Sequence, residues 1–367
     1  MADKIVLSGY YGFNNLGDEA VLYSILRTLR TAKPDIKFTV LSNDPAKTKK
    51  AYNVDAVNRW SIKEVIRALY QCDLLISGGG SLLQDTTSPK SLLYYLGVVF
   101  LAKLLRKKVI YYAQGIGPIN TYLGQKLMPL VSNMVDVIAV RDQDSKDLLQ
   151  KLNVQKPPIY VKADAVLGLY RKEIERKSGQ DLLTRNGIDL MNKKSMIGIA
   201  VREWQGFSGY LKVVARLADE LIRKDYSVLL LPMHFPGDVT ASREVVRLME
   251  EEPVLIKEPC SVIEMLGIVG ELDLMIGMRL HSLIIAAVMG VPSVGISYDP
   301  KVDSFMKLTE QPVAGRVETL DYDVLAADVF KVLDNLEEVK SFLEERVSEL
   351  RVEARDNACL ALSLLPS

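Results

Sequence analysis

Residues 277–301 read GMRLHSLIIAAVMGVPSVGISYDPK. The four residues before them, Asp273 to Ile276, form a short apolar run of the kind that makes a buried parallel strand, and Gly277 ends it. Leu280, Leu283, Ile284, Ala287 and Val288 then recur at helical spacing. Gly290-Val291-Pro292 carries the glycine-then-proline signature of a helix end. A second apolar run, Ser293 to Ser297, completes a βαβ unit and delivers Tyr298, Asp299, Pro300 and Lys301 into a loop. Arg279 and His281 fall at the helix N-terminus. Ligands of open α/β sheets bind outside the carboxyl ends of the strands, and the free N–H groups of a helix start attract anions. The unit therefore implies a site for a small anion built on Arg279, His281 and Lys301. An arginine at a strand end also serves as a plain surface ion pair, and a lysine there as a solvated side chain. His281 stands apart because the chain has only two histidines and this one falls where a ligand is expected.

The same strand-then-helix rhythm runs through the rest of the 367 residues. Strands are expected at Lys4–Ser8, Lys37–Ser42, Leu74–Ser77, Lys108–Ala113 and Val135–Val140, and again at Met196–Val201 and Val228–Leu231, with helices between them. The length suits two domains. The predicted fold class is α/β, with two Rossmann-like doubly wound domains facing a cleft and C-terminal amphipathic helices. The domains are placed at 1–170 and 196–335. The charged run from Arg171 to Asn186 puts a linker at 171–195, and Leu336, Val339, Leu343, Val347, Leu350 and Ala354 trace one face of a C-terminal helix over 336–367.

Several strand exits carry binding signals. In the first, GYYGFNNLGDEAVL (9–22), glycines allow a tight turn into a helix, and Asn14, Asn15, Asp18 and Glu19 gather where the helix starts. Its spacing departs from GxGxxG, so a dinucleotide is not supported. Gly78-Gly79-Gly80-Ser81 reads as a loop in which Gly79 and Gly80 let a ligand approach backbone N–H groups. Gln114 begins another glycine-rich exit, Arg141 ends the fifth strand as a further anion candidate, and His234 lies just past Val228–Leu231, where a packed loop histidine is equally consistent.

Forty-six basic and 46 acidic residues cancel, which argues against a nucleic-acid binder. The three cysteines are isolated, with no CxxC or His/Cys cluster, so neither a disulfide framework nor a zinc site is expected and the reading is a reducing cytoplasm. No metal or other cofactor is expected. The N-terminus lacks signal-peptide regions. Leu92 to Leu105 is too short and too interrupted to span a bilayer, although with Lys103, Arg106, Lys107 and Lys108 the stretch 92–108 suits peripheral contact with anionic lipid as well as it suits a core helix.

With GYYGFNNLGDEA, SGGGSLLQD, AQGIGP, AVRD, PMHFPGD and GMRLHSLIIAAVMGVP, segments that span most of its length, the sequence resembles the polysaccharide pyruvyltransferase family, and within it the CsaB type. The resemblance implies a glycosyltransferase-B-like fold with phosphoenolpyruvate as substrate rather than cofactor. It implies transfer of the enolpyruvyl group to N-acetylmannosamine of a secondary cell wall polymer, as a 4,6-pyruvate ketal. Carried onto this sequence, Arg141, His281 and Lys301 match donor-binding positions, and Arg279 and Leu280 complete the RLH motif. Such chemistry needs a general acid to protonate the donor methylene, and Asp18 and Glu19 are nominated beside His281. Asn14, Asn15, Gly79, Gly80, Gln114 and His234 are expected on the acceptor side or the cleft loops. A lipid-diphosphate-linked acceptor would bring the enzyme to the inner face of the membrane. The rival readings are a nucleotide-sugar glycosyltransferase of the same fold and a non-catalytic sugar-binding protein.

Overall fold

A computed structural model describes residues 2–86, 89–191 and 194–366. The chain divides into two compact units, Met1–Leu169 together with Leu350–Ser367, and Tyr170–Glu349.

In the first unit the strands are β1 (Lys4–Tyr11), β2 (Lys37–Ser42), β3 (Asp55–Asn58), β4 (Leu74–Ser77), β5 (Gly80–Leu83), β6 (Lys108–Ile116), β7 (Val137–Val140) and β8 (Ile159–Val161). Helices α1 (Leu16–Ala32), α2 (Pro45–Tyr52), α3 (Ile62–Gln71), α4 (Pro89–Leu104), α5 (Tyr122–Ser132) and α6 (Gln143–Lys151) connect them. The described strands pair in parallel in the order β3-β2-β1-β4-β6-β7-β8, with β5 against β6. Strands buried on both faces explain the continuous apolar runs: in β4 and β7 every residue is buried. The triple-glycine stretch read as an open loop is partly strand. Gly80 pairs with Gln114 and Leu83 with Ile116, because Leu82 and Leu83 have core to fill.

The second unit holds α7 (Lys177–Arg185), β9 (Met196–Ala200), α8 (Gly209–Arg223), β10 (Ser227–Leu230), α9 (Gly237–Leu248), β11 (Val254–Leu255), α10 (Val262–Val269), β12 (Leu274–Gly277), α11 (Leu280–Met289), β13 (Ser293–Ser297), α12 (Pro300–Leu308), β14 (Val313–Arg316) and α13 (Tyr322–Asp334). Its parallel sheet runs β11-β10-β9-β12-β13-β14, the doubly wound order in which the winding reverses between β9 and β12. The long α14 (Leu336–Leu362) contributes residues to both units, and Leu343, Val347, Leu350 and Ala354 of its expected apolar face are buried.

The stretch expected as a linker, 171–195, contains α7, which belongs to the second unit; residues 192 and 193 lie outside the described residues. The charge density of this segment hides a tight crossing. A Cβ added at Gly179 would stand 2.5 Å from the Ile268 backbone nitrogen and 2.6 Å from the Glu264 carbonyl oxygen, so two backbones meet where only glycine fits.

Candidate active site

In the second unit the reversal point places the exits of β9 and β12 next to each other, and four neighbouring strand exits deliver polar groups to one edge. Arg202 follows β9, His234 follows β10, Arg279 and His281 follow β12, and Tyr298 and Lys301 follow β13. Arg279 is the N-cap residue of α11, with extended backbone and no side-chain cap. Its guanidinium turns instead to Asp238: Nε donates at 2.9 Å to one carboxylate oxygen and Nη2 donates to the other. Asp238 is 1% exposed and also accepts from the backbone N–H groups of Met233 (3.2 Å) and His234 (3.0 Å). One buried carboxylate therefore ties the β10 exit to the RLH segment. Ser282 adds a bond from its hydroxyl to the Arg279 carbonyl at 2.6 Å. His281 then occupies the first turn of α11, and Leu280 before it is buried.

Lys301 was expected in a loop. It lies in the first turn of α12, whose N-cap Asp299 accepts from the Lys301 N–H at 3.1 Å and pairs with its Nζ at 3.0 Å. Two helix N-termini, α11 and α12, thus start from adjacent parallel strands with His281 and Lys301 in their first turns. Burial holds the His234 imidazole below the ordinary histidine range, and the Arg279 charge lowers it further. Arg202, which the sequence reading passed over, donates to the Tyr298 hydroxyl at 3.2 Å and lies over the rings of Tyr298 and Trp204. The signal available for it was only its place just beyond a strand.

In the first unit the corresponding reversal lies between β1 and β4. The β1 exit is held from within. Asn15 caps α1 by accepting from the Gly17 N–H at 3.1 Å, and Asn14, at φ 57°, accepts from Lys47 Nζ at 2.5 Å. Both asparagines therefore shape the turn. Glu19, nominated as a catalytic carboxylate, has both oxygens engaged, one by the Gly12 N–H at 2.8 Å and one by the Tyr52 hydroxyl at 2.6 Å. Burial nonetheless pushes its carboxyl up from the usual range. Asp18 lies over the β4 exit: a Cβ added at Gly80 would meet its Oδ1 at 3.0 Å, and Gly80 itself sits at φ +85°. A Cβ at Gly79 would press on Val21 at 3.0 Å.

Gln114 is fully buried and donates from Nε2 to the Ser77 hydroxyl at 2.7 Å and the Ser77 carbonyl at 3.0 Å, locking β6 to β4. Arg141, 8% exposed, pairs with buried Asp164 at 3.2 Å and donates to the Ser81 hydroxyl at 3.1 Å. Its guanidinium lies on Gly115, where a Cβ would come within 2.7 Å of Nη2. Arg59 was also missed. It is buried among the rings of Phe13, Trp60, Tyr94 and Tyr95 and donates to the Gly9 carbonyl at 2.8 Å, pinning the β1 exit from behind. The expected residues thus fall into two sets, Asn14, Asn15, Asp18, Glu19, Gly79, Gly80, Gln114 and Arg141 in one unit and His234, Arg279, Leu280, His281 and Lys301 in the other. Among the described residues no group of three or more His, Cys, Asp or Glu could hold a metal ion.

Comparison with known proteins adds an independent finding. The family model described as polysaccharide pyruvyl transferase matches residues 15–300. Among curated proteins, the amylovoran biosynthesis protein AmsJ of Erwinia amylovora is 24% identical over 409 aligned residues, covering 95% of this chain and 96% of that one. Solved structures share the fold at low identity. A putative UDP-N-acetylglucosamine 2-epimerase from Listeria monocytogenes gives a TM-score of 0.68 at 13% identity, over 99% of this chain and 95% of that chain. A glycosyltransferase from Rickettsia africae gives 0.64 at 12%, over 99% and 98%. The two parallel α/β units are therefore glycosyltransferase-B-like in fold.

Proposed function

The chain belongs to the polysaccharide pyruvyl transferase family and is a pyruvyltransferase enzyme, and from that premise we propose that its donor is phosphoenolpyruvate and its product a cyclic pyruvate ketal. The observation that carries this reading is the pair of adjacent helix starts in the second unit, α11 with His281 and α12 with Lys301, beside an Arg279 already oriented by Asp238. Phosphoenolpyruvate is small and carries a carboxylate and a phosphate. Two N-termini and a set of cations suit two anionic groups on one small molecule.

In the reaction, a proton adds to the donor methylene, turning it into a methyl group and leaving an oxocarbenium-like carbon at C2. One acceptor hydroxyl adds there, the C2–O bond to phosphate breaks, and a second hydroxyl closes the ketal. The two hydroxyl protons balance those taken up by the methyl group and the departing phosphate. Asp18 is the proposed carboxylate acid, and Glu19 holds its loop in place. His281 in its charged form holds the phosphate and protonates it as it leaves. Lys301 and Arg141 bind donor charge. Gly79, Gly80 and Gln114 shape the β4 exit in the first unit, to which we assign the acceptor. No metal or other cofactor is invoked, and Asp18, His281 and Lys301 supply the proton and the charge. The acceptor proposed is an N-acetylmannosamine-containing polysaccharide precursor of the CsaB type, carried on a lipid diphosphate and met at the inner face of the membrane. The relative AmsJ, named for amylovoran biosynthesis, supports polysaccharide as the wider acceptor class.

Steady-state kinetics with phosphoenolpyruvate test these roles. His281→Gln, which keeps a hydrogen bond without the charge, is expected to lose most of kcat, whereas Lys301→Ala and Arg141→Ala raise the donor KM more than they lower kcat. Near-native turnover in His281→Gln would remove that residue from the chemistry.

A further inference from the structure

The stretch 92–108, whose sequence suits contact with anionic lipid and a core helix equally, divides between the two in the structure. Most of α4 is core: Leu92, Tyr95, Leu96, Val98, Val99 and Ala102 are buried. Lys103 is occupied by Asp136 at 2.6 Å, and Lys108 pairs with the same carboxylate at 3.2 Å. What α4 turns outward is a row at helical spacing, Leu93, Phe100 and Leu104, which are 38%, 39% and 60% exposed. Gly97 lies in that row, and a Cβ added there would meet nothing within 4 Å.

Helix α3 carries a matching row. Ile62, Ile66 and Tyr70 follow each other at intervals of four and are 71%, 39% and 70% exposed, while Val65, Ala68 and Leu69 face the core. The two helices run side by side in the same direction. At their starts, Trp60 and Tyr94 have ring centroids 5.7 Å apart; at their ends, Lys107 Nζ lies 5.7 Å from the Tyr70 ring. The rows therefore form one apolar strip of six large side chains on adjacent helices. Exposed cations border it: Lys63 and Arg67 on α3, Lys90 at the start of α4 and Arg106 just beyond its end. The carboxylate on α3, Glu64, is turned back to the Asn58 N–H at 3.0 Å.

We propose that this α3–α4 face seats on the surface of an anionic bilayer, its apolar strip entering the interface while the surrounding lysines and arginines meet lipid phosphates. Apolar side chains ringed by cations complement an anionic lipid surface in both respects, and no helix of the described residues is long and apolar enough to cross a membrane. The placement does not depend on the donor or acceptor chemistry, since every residue in it lies outside the groups assigned to the reaction.

The test is co-sedimentation of the whole chain with vesicles of phosphatidylglycerol and phosphatidylcholine in equal parts, and with phosphatidylcholine alone. The native protein is expected to bind the anionic vesicles at least tenfold more strongly, and less so as salt rises. Phe100→Ser with Leu104→Ser should reduce binding at least tenfold. Gly97→Glu should do the same without harming the fold, because the site is open and glutamate is a better helix former than glycine; a thermal melt confirms the fold of each variant. The proposal is overturned if the native protein ignores anionic vesicles, or if folded Gly97→Glu binds them as the native protein does. It is also overturned if sedimentation velocity shows a dimer that Gly97→Glu splits while vesicles stay unbound, for then the strip covers a second copy of the chain.

Discussion

If Asp238 is what aims Arg279, removing either partner should damage stability and catalysis in a coupled way. The Asp238 side chain is 2% exposed and that of Arg279 18%, so the pair is largely dry. Asp238→Ala strands the guanidinium and two backbone N–H donors, from Met233 and His234. Breaking a buried pair from one side costs about 3–5 kcal/mol, and we expect about 4. Arg279→Ala leaves the carboxylate with those two N–H donors and should cost about 2 kcal/mol. In the double variant no charge is stranded, so the total should be about 4 rather than about 6 kcal/mol, a coupling of about 2. The chain has two tryptophans, Trp60 in the first unit and Trp204 in the second. In a Trp60→Phe background, urea unfolding followed by fluorescence therefore reports the second unit alone. Each single variant should lower kcat/KM for the donor by about 10–100-fold, the equivalent of a charge-assisted contact, and the double variant should fall little further. Stability losses that add to within about 0.5 kcal/mol would refute the idea that one group positions the other.

Gly115→Ala places a methyl group 2.7 Å from Arg141 Nη2 and should displace the guanidinium from Asp164, raising the donor KM by about tenfold with kcat nearly unchanged; an unaltered KM in steady-state kinetics would count against Arg141 as a donor ligand. Gly179→Ala forces a Cβ onto the α10 backbone and should destabilise the second unit by about 2–3 kcal/mol, read by the same Trp204 unfolding assay. Because burial and Arg279 hold His234 below the ordinary range, the unfolded chain takes up a proton there before the folded chain does. The stability of the second unit should therefore fall as pH drops through about 6.5, and His234→Asn should flatten that slope in unfolding curves measured between neutral and mildly acidic pH.

The β12–α11–β13 unit was legible because its signals are local: an apolar run, a helical period, a glycine and a proline. The signal for the start of α12 is equally local, since Asp299 followed by Pro300 is a cap and first-turn pair, although the strand exit before it also suits a loop. Short strands such as β3 and β5 escaped because their residues are too few to show a pattern and gain their pairing from neighbours distant in sequence. The partners of the site residues were not legible at all. Asp238 and Arg279 are 41 positions apart and Arg141 and Asp164 are 23 apart; only sheet order and strand-exit geometry bring them together. Glu19 shows the limit from the other side. Its residue type and place fitted an acid, while Gly12 and Tyr52, which decide its role, carry no mark in the sequence. On α3, Ile62, Ile66 and Tyr70 form one apolar row and Val65, Ala68 and Leu69 another, and only the fold shows which row faces the core.

The central claim is tested most directly by incubating the purified chain with phosphoenolpyruvate and a lipid-linked N-acetylmannosamine disaccharide, then measuring released phosphate and acceptor mass together. One phosphate should appear for each acceptor that gains a pyruvate less one water, with no free hydroxyl left at the two ketal positions. Failure of the acceptor to change, together with consumption of a nucleotide-sugar in a parallel reaction, would contradict the account.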